Sequence, residues 1–356
     1  MRIIVVAGAS GGHIFPALSF LEELKEKDKD IELLLVLPKR SIEKQFIGKD
    51  IFQVKYILTP KASLRPGAIF KYLLGSAQSL EILLKFKPDV VVGFGSSDSL
   101  PLVLLAWLFR IKTLIHEQNV VPGRANKILA KLVDEVAVSF AQTSEYLNIS
   151  PKRITVTGNP IRKDLVKLDK KEALKFFGLP DKFTLLVMGG SQGSHRINLA
   201  FLNVLSGLGK GFDFQVIHIA GISDVELVKK GYENLNIEAK VFTFLPQINY
   251  AYSASDLVIS RSGASAIYEL MFFEKPAILI PYPFAYDHQL KNAQVLEKTG
   301  AAYIVKDSEL DYSILKDTLR GLFTDTRRLN NMRSCYKNEG CLNAASLLAN
   351  LALQLK

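Results

Sequence analysis

The run Thr184-Leu-Leu-Val-Met188, followed at once by Gly189-Gly-Ser-Gln-Gly193 and then by a helical pattern, decides the fold. It repeats an arrangement at the start of the chain, where Ile4-Val-Val-Ala7 runs into Gly8-Ala-Ser-Gly-Gly12. Each is an apolar strand, a glycine-rich turn and a helix, and a histidine follows each turn, His13 and His195. A strand with one wet face would alternate apolar and polar residues. Strands that are apolar throughout belong in a parallel sheet covered by helices on both faces. The restart at residue 184 predicts two doubly wound α/β domains rather than one sheet.

Working outward, residues 14–24 place Ile14, Ala17, Leu18, Leu21 and Leu24 on one helical face. Further strands are expected at Leu33–Leu37, Val90–Gly93, Thr113–Ile115, Glu135–Val138 and Thr155–Val156. A second set is expected at Val216–Ile219, Val241–Phe244, Leu257–Ile259 and Ala277–Ile280. The boundary falls after Gly158-Asn-Pro-Ile-Arg162, giving domains 1–162 and 163–340. A helix over about 341–356 can pack back on the first domain. The length of 356 residues accords with two domains of roughly 100–200 residues each.

With 48% hydrophobic and 22% charged residues the chain has apolar material for two cores, which excludes a disordered protein. Two cysteines, Cys335 and Cys341, are too few for a disulfide framework, and reduced thiols are expected. The apolar run that opens the chain is too short for a secretory signal, and no 18-residue apolar stretch occurs. A membrane, if met, is met at its surface. The net charge is +10, of which +7 lies in residues 1–162, with 22 Lys and Arg against 15 Asp and Glu. A basic half suits an anionic partner such as a phosphorylated substrate, an anionic membrane or nucleic acid. A solubilising surface excess is the plainer reading.

Residues 67–87, GAIFKYLLGSAQSLEILLKFK, mix Phe70, Leu73, Leu74, Leu80, Leu83 and Leu84 with lysines, and Trp107-Leu-Phe-Arg-Ile-Lys112 has the same character. Such a segment lies on anionic lipid or, alternatively, is an ordinary core helix. Nucleic acid is disfavoured, since the bases do not interleave with stacking aromatics.

The glycine turns open helices, where exposed N–H groups and the helix dipole receive phosphate. The first is not G-x-G-x-x-G, and the strand after it leads to Pro38-Lys39-Arg40 rather than to an acid, which argues against a dinucleotide. His13 beside such a loop is a candidate general base, or else a helix-start histidine bonded to nearby backbone. Ser191 supplies a hydroxyl to phosphate in the second loop. Arg261-Ser-Gly-Ala-Ser-Ala-Ile-Tyr-Glu269 is a third loop-to-helix junction, with Ser262 as candidate cap and Glu269 as acceptor for ribose hydroxyls or a solvated helix charge. His116-Glu-Gln-Asn119, Gly158–Arg162 and Asp287-His-Gln289 follow strands, at the edge where open α/β sheets bind ligands. The fixed fork of Arg162 suits a diphosphate. A P-loop and metal-ligand spacing of His and Cys are both absent.

Six segments in order complete the picture: GASGGHIFPAL at 8–18, HEQNVVPGRANKILAK at 116–131, GNPIR at 158–162, GGSQGSHRIN at 189–198, SRSGASAIYE at 260–269 and DHQLKNAQVLEKTGAA at 287–302. Together they resemble the bacterial MurG family over about residues 3–305. The resemblance implies a GT-B glycosyltransferase, with two Rossmann-like domains facing a cleft. It also implies inverting transfer of GlcNAc from UDP-GlcNAc to the C4 hydroxyl of lipid I, forming lipid II for peptidoglycan. No cofactor or metal would be required.

By the same resemblance the second domain holds the donor. Leu245 meets the uracil through its main chain, and Glu269 binds ribose. Ser191 and the run Ala264, Ser265, Ala266, Ile267 and Tyr268 bind the diphosphate. Gln289 and Asn119 contact the sugar, with Arg162 nearby. Ser10, Gly11 and Gly12, with His13, face the acceptor diphosphate and the reaction centre. Peripheral binding to the cytoplasmic side of the bacterial inner membrane is implied, with lipid I, an anionic membrane surface and other cell-wall synthesis proteins as partners.

Two departures stand out. Ser10 takes the place of the usual threonine and keeps the hydroxyl. The stretch Gly95-Ser-Ser-Asp-Ser-Leu-Pro101 lacks the second glycine and the tyrosine of Gly-Gly-Tyr-x-Ser-x-Pro and carries Asp98. That loop bears on acceptor recognition, so a glycolipid synthase with a diacylglycerol acceptor is the rival enzyme. A non-catalytic UDP-sugar-binding protein is the rival of another class.

Overall fold

The apolar strands pair in parallel. In the computed structural model, which describes residues 1–40, 52–60, 66–190, 192–208, 212–284, 287–310, 312–336 and 343–356, the chain divides into two compact units. The first is Met1–Arg162 with Gly340–Lys356, the second Lys163–Glu339.

The first unit opens with β1 (Arg2–Ala7), α1 (Gly11–Lys27), β2 (Glu32–Pro38) and β3 (Gln53–Ile57). It continues through α2 (Pro66–Phe86), β4 (Val90–Phe94), α3 (Ser96–Leu108), β5 (Lys112–Glu117), α4 (Arg124–Leu129), β6 (Glu135–Val138) and β7 (Ile154–Val156). The strands form one sheet in the order β3-β2-β1-β4-β5-β6-β7. At its centre Val5 lies opposite Leu35 of β2 and Val92 of β4, all pairs parallel.

Because side chains alternate across a strand, β1 feeds two cores. Ile3, Val5 and Ala7 pack with Ile14, Ala17, Leu21 and Leu24 of α1. Ile4 and Val6 pack on the other face with Ile82 of α2, Leu102 and Val103 of α3 and Leu129 of α4. Burial on both faces explains why these strands read as unbroken apolar runs.

The second unit is built the same way. It runs α5 (Lys170–Phe177), β8 (Phe183–Met188), α6 (His195–Gly207), β9 (Phe214–Ile219), α7 (Val225–Leu235), β10 (Ala239–Phe242) and α8 (Ile248–Ala254). Then come β11 (Leu257–Ser260), α9 (Ala264–Phe273), β12 (Ala277–Leu279), α10 (His288–Thr299), β13 (Ala302–Ile304), α11 (Tyr312–Thr324) and α12 (Thr326–Ser334). Its six strands follow the order β10-β9-β8-β11-β12-β13, again all parallel. Leu185 and Val187 of β8 meet Ile197, Phe201 and Val204 of α6 in its core.

Two strands were not expected from the apolar runs. β3 and β13 lie at sheet edges, and β3 carries Gln53 and Lys55 on its wet face. The last helix, α13 (Ala344–Gln354), follows the second unit in sequence but lies in the first, where Leu348, Ala349 and Ala352 join the core beside α1. Among the described residues no helix is long and apolar enough to cross a membrane.

Leu348 is 0% exposed, so Leu348→Ala should remove about 2–5 kcal/mol from the first unit. The only tryptophan, Trp107, lies in that unit. Its fluorescence in a urea titration should show an earlier midpoint, and an unchanged midpoint would mean that α13 does not hold the first core.

Candidate active site

In a parallel sheet all strands end at one edge, and the helices that follow begin there. In the first unit β1 ends at Ala7 and α1 begins four residues on. Ser10 is its N-cap by backbone: its carbonyl accepts from the N–H of His13 at 2.9 Å and of Ile14 at 3.0 Å. Its hydroxyl is exposed and makes no cap bond, and the first turn carries no acid. The N–H groups of Gly11 and Gly12 therefore meet no capping side chain at the positive end of the helix dipole. The starts of α6 and α9 in the second unit likewise have neither a side-chain cap nor an acid in the first turn. Asp169 and Asp325 cap α5 and α12, whereas α4, α8, α10 and α13 also start without a side-chain cap or an acid in the first turn.

His13 sits in the first turn of α1, and its Nδ1 lies 3.1 Å from Oε1 of Gln118. The alternation of β5 explains the partner, since His116 and Gln118 emerge on one side and Glu117 on the other. Gln118 Nε2 lies 3.2 Å from His116 Nδ1, and His116 Nε2 lies 2.9 Å from the carbonyl of Gly158. His116 is fully buried, and that burial lowers its pKa to about 4, so the ring is neutral.

On the other side the buried carboxylate of Glu117 staples the following loop. It accepts from the main-chain N–H of Asn119 (2.9 Å) and of Gly123 (3.0 Å) and from the Asn126 amide (2.8 Å). Asn119 also donates its side-chain amide to Glu117, at 3.3 Å. The 158–162 segment is held by α1: Ser19 donates to the carbonyl of Ile161 at 2.7 Å, and the Arg162 guanidinium lies 5.2 Å from the centre of the Phe15 ring. Ser10, Gly11, Gly12, His13 and Arg162 are thus all carried or held by α1.

In the second unit Ser191 lies outside the described residues. His195, first in α6, places Nδ1 3.0 Å from Asp224, which also accepts from the Asn198 amide at 2.8 Å. Behind them His218 places Nε2 3.0 Å from Asn198 Oδ1 and Nδ1 2.7 Å from the Tyr232 hydroxyl. Burial lowers the His218 pKa to about 3.

The run 264–269 is helix rather than loop. Ile267 donates its N–H to Gly263, and Ile267 and Tyr268 are buried side chains. Of this run, the N–H groups of Ala264, Ser265 and Ala266 precede the first intrahelical bond and meet no capping side chain, and the Ser265 hydroxyl is buried without a hydrogen-bond partner. Glu269 Oε2 accepts from the Tyr252 hydroxyl at 2.9 Å, and the Tyr252 ring stacks on Phe273 at 4.9 Å.

Ser262 does not cap α9. Its hydroxyl donates to the carbonyl of Gln289 at 2.8 Å, while Gln289 Oε1 accepts from the N–H of Ser262 (3.2 Å) and of Tyr282 (2.9 Å). Leu245 lies in the loop between β10 and α8 with its side chain buried. Arg261 ties these loops together through Ser194, the carbonyls of Ile280 and Pro281, and buried Asp307. Among the described residues no cluster of three or more His, Cys, Asp or Glu is placed to hold a metal ion.

Comparison with known proteins agrees with this geometry. Residues 3–138 match the glycosyltransferase family 28 N-terminal domain, and residues 184–348 match its C-terminal domain. A protein of Syntrophus aciditrophicus is 38% identical over 97% of this chain and 96% of its own length. One of Geobacter metallireducens is 36% identical over 98% and 97%. Both are named UDP-N-acetylglucosamine–N-acetylmuramyl-(pentapeptide) pyrophosphoryl-undecaprenol N-acetylglucosamine transferase. The chain belongs to the MurG family. The crystal structure of Acinetobacter baumannii MurG superposes with a TM-score of 0.80 at 24% identity, covering 99% of both chains. At that identity it shows the fold, which is GT-B.

Within the MurG family frame the 95–101 departure has a physical account. Ser96 adopts φ +69°, the left-handed region that a glycine at this place would enter freely. Asp98, 1% exposed, accepts from the Ser96 hydroxyl at 3.0 Å, from Thr59 at 2.5 Å and, on its two carboxylate oxygens, from Nη2 of Arg40 at 2.7 and 2.8 Å, while Arg40 Nη1 donates to Thr59. Asp98 is therefore a buried knot joining the ends of β2 and β3 to the start of α3.

Residues that the sequence did not single out are Gln118, Tyr252 and the Asp98 knot's partners. A signal existed for Gln118 alone, its two-residue spacing from His116 after a strand. Both buried histidines titrate near 6.5 when unfolded and near 4 (His116) and 3 (His218) when folded. Between those values the unfolded chain binds more protons, so stability should fall as pH falls from 6.5, by up to about 1.4 kcal/mol per pH unit for each. Urea titrations from pH 7 to 5 check this, and His116→Asn should flatten the slope for the first unit.

Proposed function

We propose that this chain moves GlcNAc from UDP-GlcNAc to the C4 hydroxyl of undecaprenyl-diphospho-N-acetylmuramoyl-pentapeptide, lipid I, forming lipid II for peptidoglycan. The observation that carries the reading is the start of α9. Three N–H groups without a capping side chain suit a diphosphate, and Glu269 in the second turn, oriented by Tyr252, suits ribose hydroxyls. The near full-length identity to transferases of that name supports the same conclusion.

Ala264, Ser265 and Ala266, with Ser191, take the donor diphosphate, and the main chain of Leu245 takes the uracil. Gln289, whose oxygen is spent on Ser262 and Tyr282, turns its amide N–H to the sugar, and Asn119 is a second sugar contact. Ser10, Gly11 and Gly12 at the start of α1 take the acceptor diphosphate.

The acceptor hydroxyl oxygen attacks the anomeric carbon as the bond from that carbon to the UDP oxygen breaks, which inverts the centre. His13 takes the hydroxyl proton. The charge released on UDP is met by the N–H groups of α9 and by Arg162, and no cofactor is assigned a part.

The acceptor is a lipid, and the first unit offers a surface for one. Phe70 and Leu73 of α2 are 61% and 65% exposed, and Ile69 and Leu84 of the same helix and Trp107 and Leu108 of α3 are exposed as well. Lys71, Lys85, Lys87, Arg110 and Lys112 are exposed on the same segments. Leu83, by contrast, is core. Apolar side chains with flanking bases lie on an anionic bilayer, and this supports peripheral binding at the cytoplasmic face of the inner membrane, where other cell-wall synthesis proteins act.

UDP release by the purified protein should depend on both UDP-GlcNAc and a lipid I analogue in mixed micelles, and should be lost with UDP-glucose or a diacylglycerol acceptor. Measurable UDP binding without release in the presence of lipid I would overturn the reading. Glu269→Ala should raise the donor KM about ten- to a hundredfold, the loss of one charged hydrogen bond. In flotation assays with phosphatidylglycerol vesicles, replacing Phe70 and Leu73 by serine should weaken binding at least about tenfold. Binding equal to that of the unaltered chain would remove α2 as the membrane surface.

A further inference from the structure

The chain of contacts behind His13 has only one consistent assignment of hydrogens. It starts at a group that cannot change role. The carbonyl of Gly158 only accepts, so His116 Nε2, 2.9 Å away, carries a proton. His116 is buried and neutral, so its Nδ1 has a lone pair and accepts. Among the described residues the donor at that atom is the Gln118 amide nitrogen at 3.2 Å, which also donates to the His116 carbonyl at 3.3 Å. The Gln118 oxygen must then face His13 Nδ1, at 3.1 Å, and an amide oxygen only accepts. His13 Nδ1 is therefore the protonated nitrogen of the neutral ring, and the lone pair lies on Nε2.

The ring is also boxed in. A side chain on Gly8 would come within 2.8 Å of His13 Cδ2. One on Gly95, which has φ +69°, would come within 3.1 Å of Gln118 Oε1 and 3.2 Å of His13 Cε1. The two absent side chains make the room in which imidazole and amide meet.

We infer that Gln118, oriented by His116 against the Gly158 carbonyl, is a positioning residue that fixes the His13 tautomer with its proton-accepting lone pair on Nε2. This rests on the reading of His13 as the base. In free imidazole the two neutral tautomers exchange, and one of them offers the reaction the wrong nitrogen. Here the wrong form would set Nδ1 lone pair against amide oxygen, and correcting that by flipping Gln118 would set its N–H₂ against the Gln118-facing side of His13 while leaving His116 Nδ1 without a donor. A buried acceptor left unpaired carries a penalty of about 1–3 kcal/mol, and that penalty enforces the tautomer from one end of the chain to the other. A carboxylate at position 118 would orient the ring equally well but would also stabilise its protonated form. The neutral amide orients without charging.

Selective ¹⁵N labelling of the five histidines reads the tautomer directly. In the unaltered chain at alkaline pH, where the ring is neutral, the His13 signals, assigned with His13→Ala, should show the proton on Nδ1. Gln118→Leu should shift them toward the Nε2-protonated form. The same substitution should lower kcat at least about tenfold and no further than the 10²–10⁴ that a positioned base contributes, while UDP affinity, which reports folding of the second unit, stays within twofold and the Trp107 unfolding transition, which reports folding of the first, stays single and cooperative with an earlier midpoint, because His116 Nδ1 loses its donor. Gln118→Glu should keep the tautomer and move the acidic limb of the kcat profile to higher pH.

A proton on Nε2 in the unaltered chain overturns the inference. So does a Gln118→Leu variant with unchanged kcat and pH profile. The base reading fails separately: if His13→Ala retains kcat, His13 is not the base, whatever its tautomer.

Discussion

Parallel pairing is the constraint on which the rest depends. A parallel sheet needs a crossover after each strand, so every strand ends at the same edge and the next helix starts beside it. β1, β8 and β11 each end in a short turn and hand over to α1, α6 and α9, whose first N–H groups are left without side-chain caps. A helix start without a cap is a loss of stability that α5 and α12 avoid with an aspartate. At the sheet edge the same omission leaves N–H groups that suit an anion. The fold does not itself make a transferase, but it gives each unit helix starts of that kind.

Buried polar chains set the details at those places. Both units put a histidine at the start of a helix and a second, buried histidine behind it, yet the groups between differ. His13 faces the amide of Gln118, which is neutral, while His195 faces the carboxylate of Asp224. The amide directs a lone pair outward, and the carboxylate holds a donor. In the interior an unpaired polar atom is heavily penalised, so one immovable carbonyl, that of Gly158, propagates its preference through His116 and Gln118 to the surface of the site.

The 95–101 stretch shows how a departure from a family pattern can be absorbed. Serine in a left-handed conformation is strained, but its hydroxyl reaches Asp98, and Asp98 in turn recruits Arg40 and Thr59. Gly95, which the stretch retains, is the residue that the His13 ring and the Gln118 amide require. The change therefore rebuilds the loop around a buried ion pair and leaves the contact to His13 in place.

Sequence by itself determined the two-domain parallel architecture, because strands buried on both faces must be apolar throughout and helices must follow them. The restart at Thr184, the apolar runs of β1, β2, β4, β8 and β11, and the glycine turns were all legible for that reason. The edge strands β3 and β13 were not, since an edge needs neither continuous apolarity nor length. The motif residues His13, Asn119, Arg162, Glu269 and Gln289 could be named in advance from their places after strands and at helix starts. What only the tertiary structure decided is which groups lie behind them. Tyr252 on Glu269, Ser262 on Gln289 rather than on the end of α9, Asp98 with Arg40, and Gln118 between two histidines all join residues far apart in sequence or across a turn. Their roles follow from hydrogen-bond direction inside a low-dielectric interior, and that direction exists only once the chain has folded.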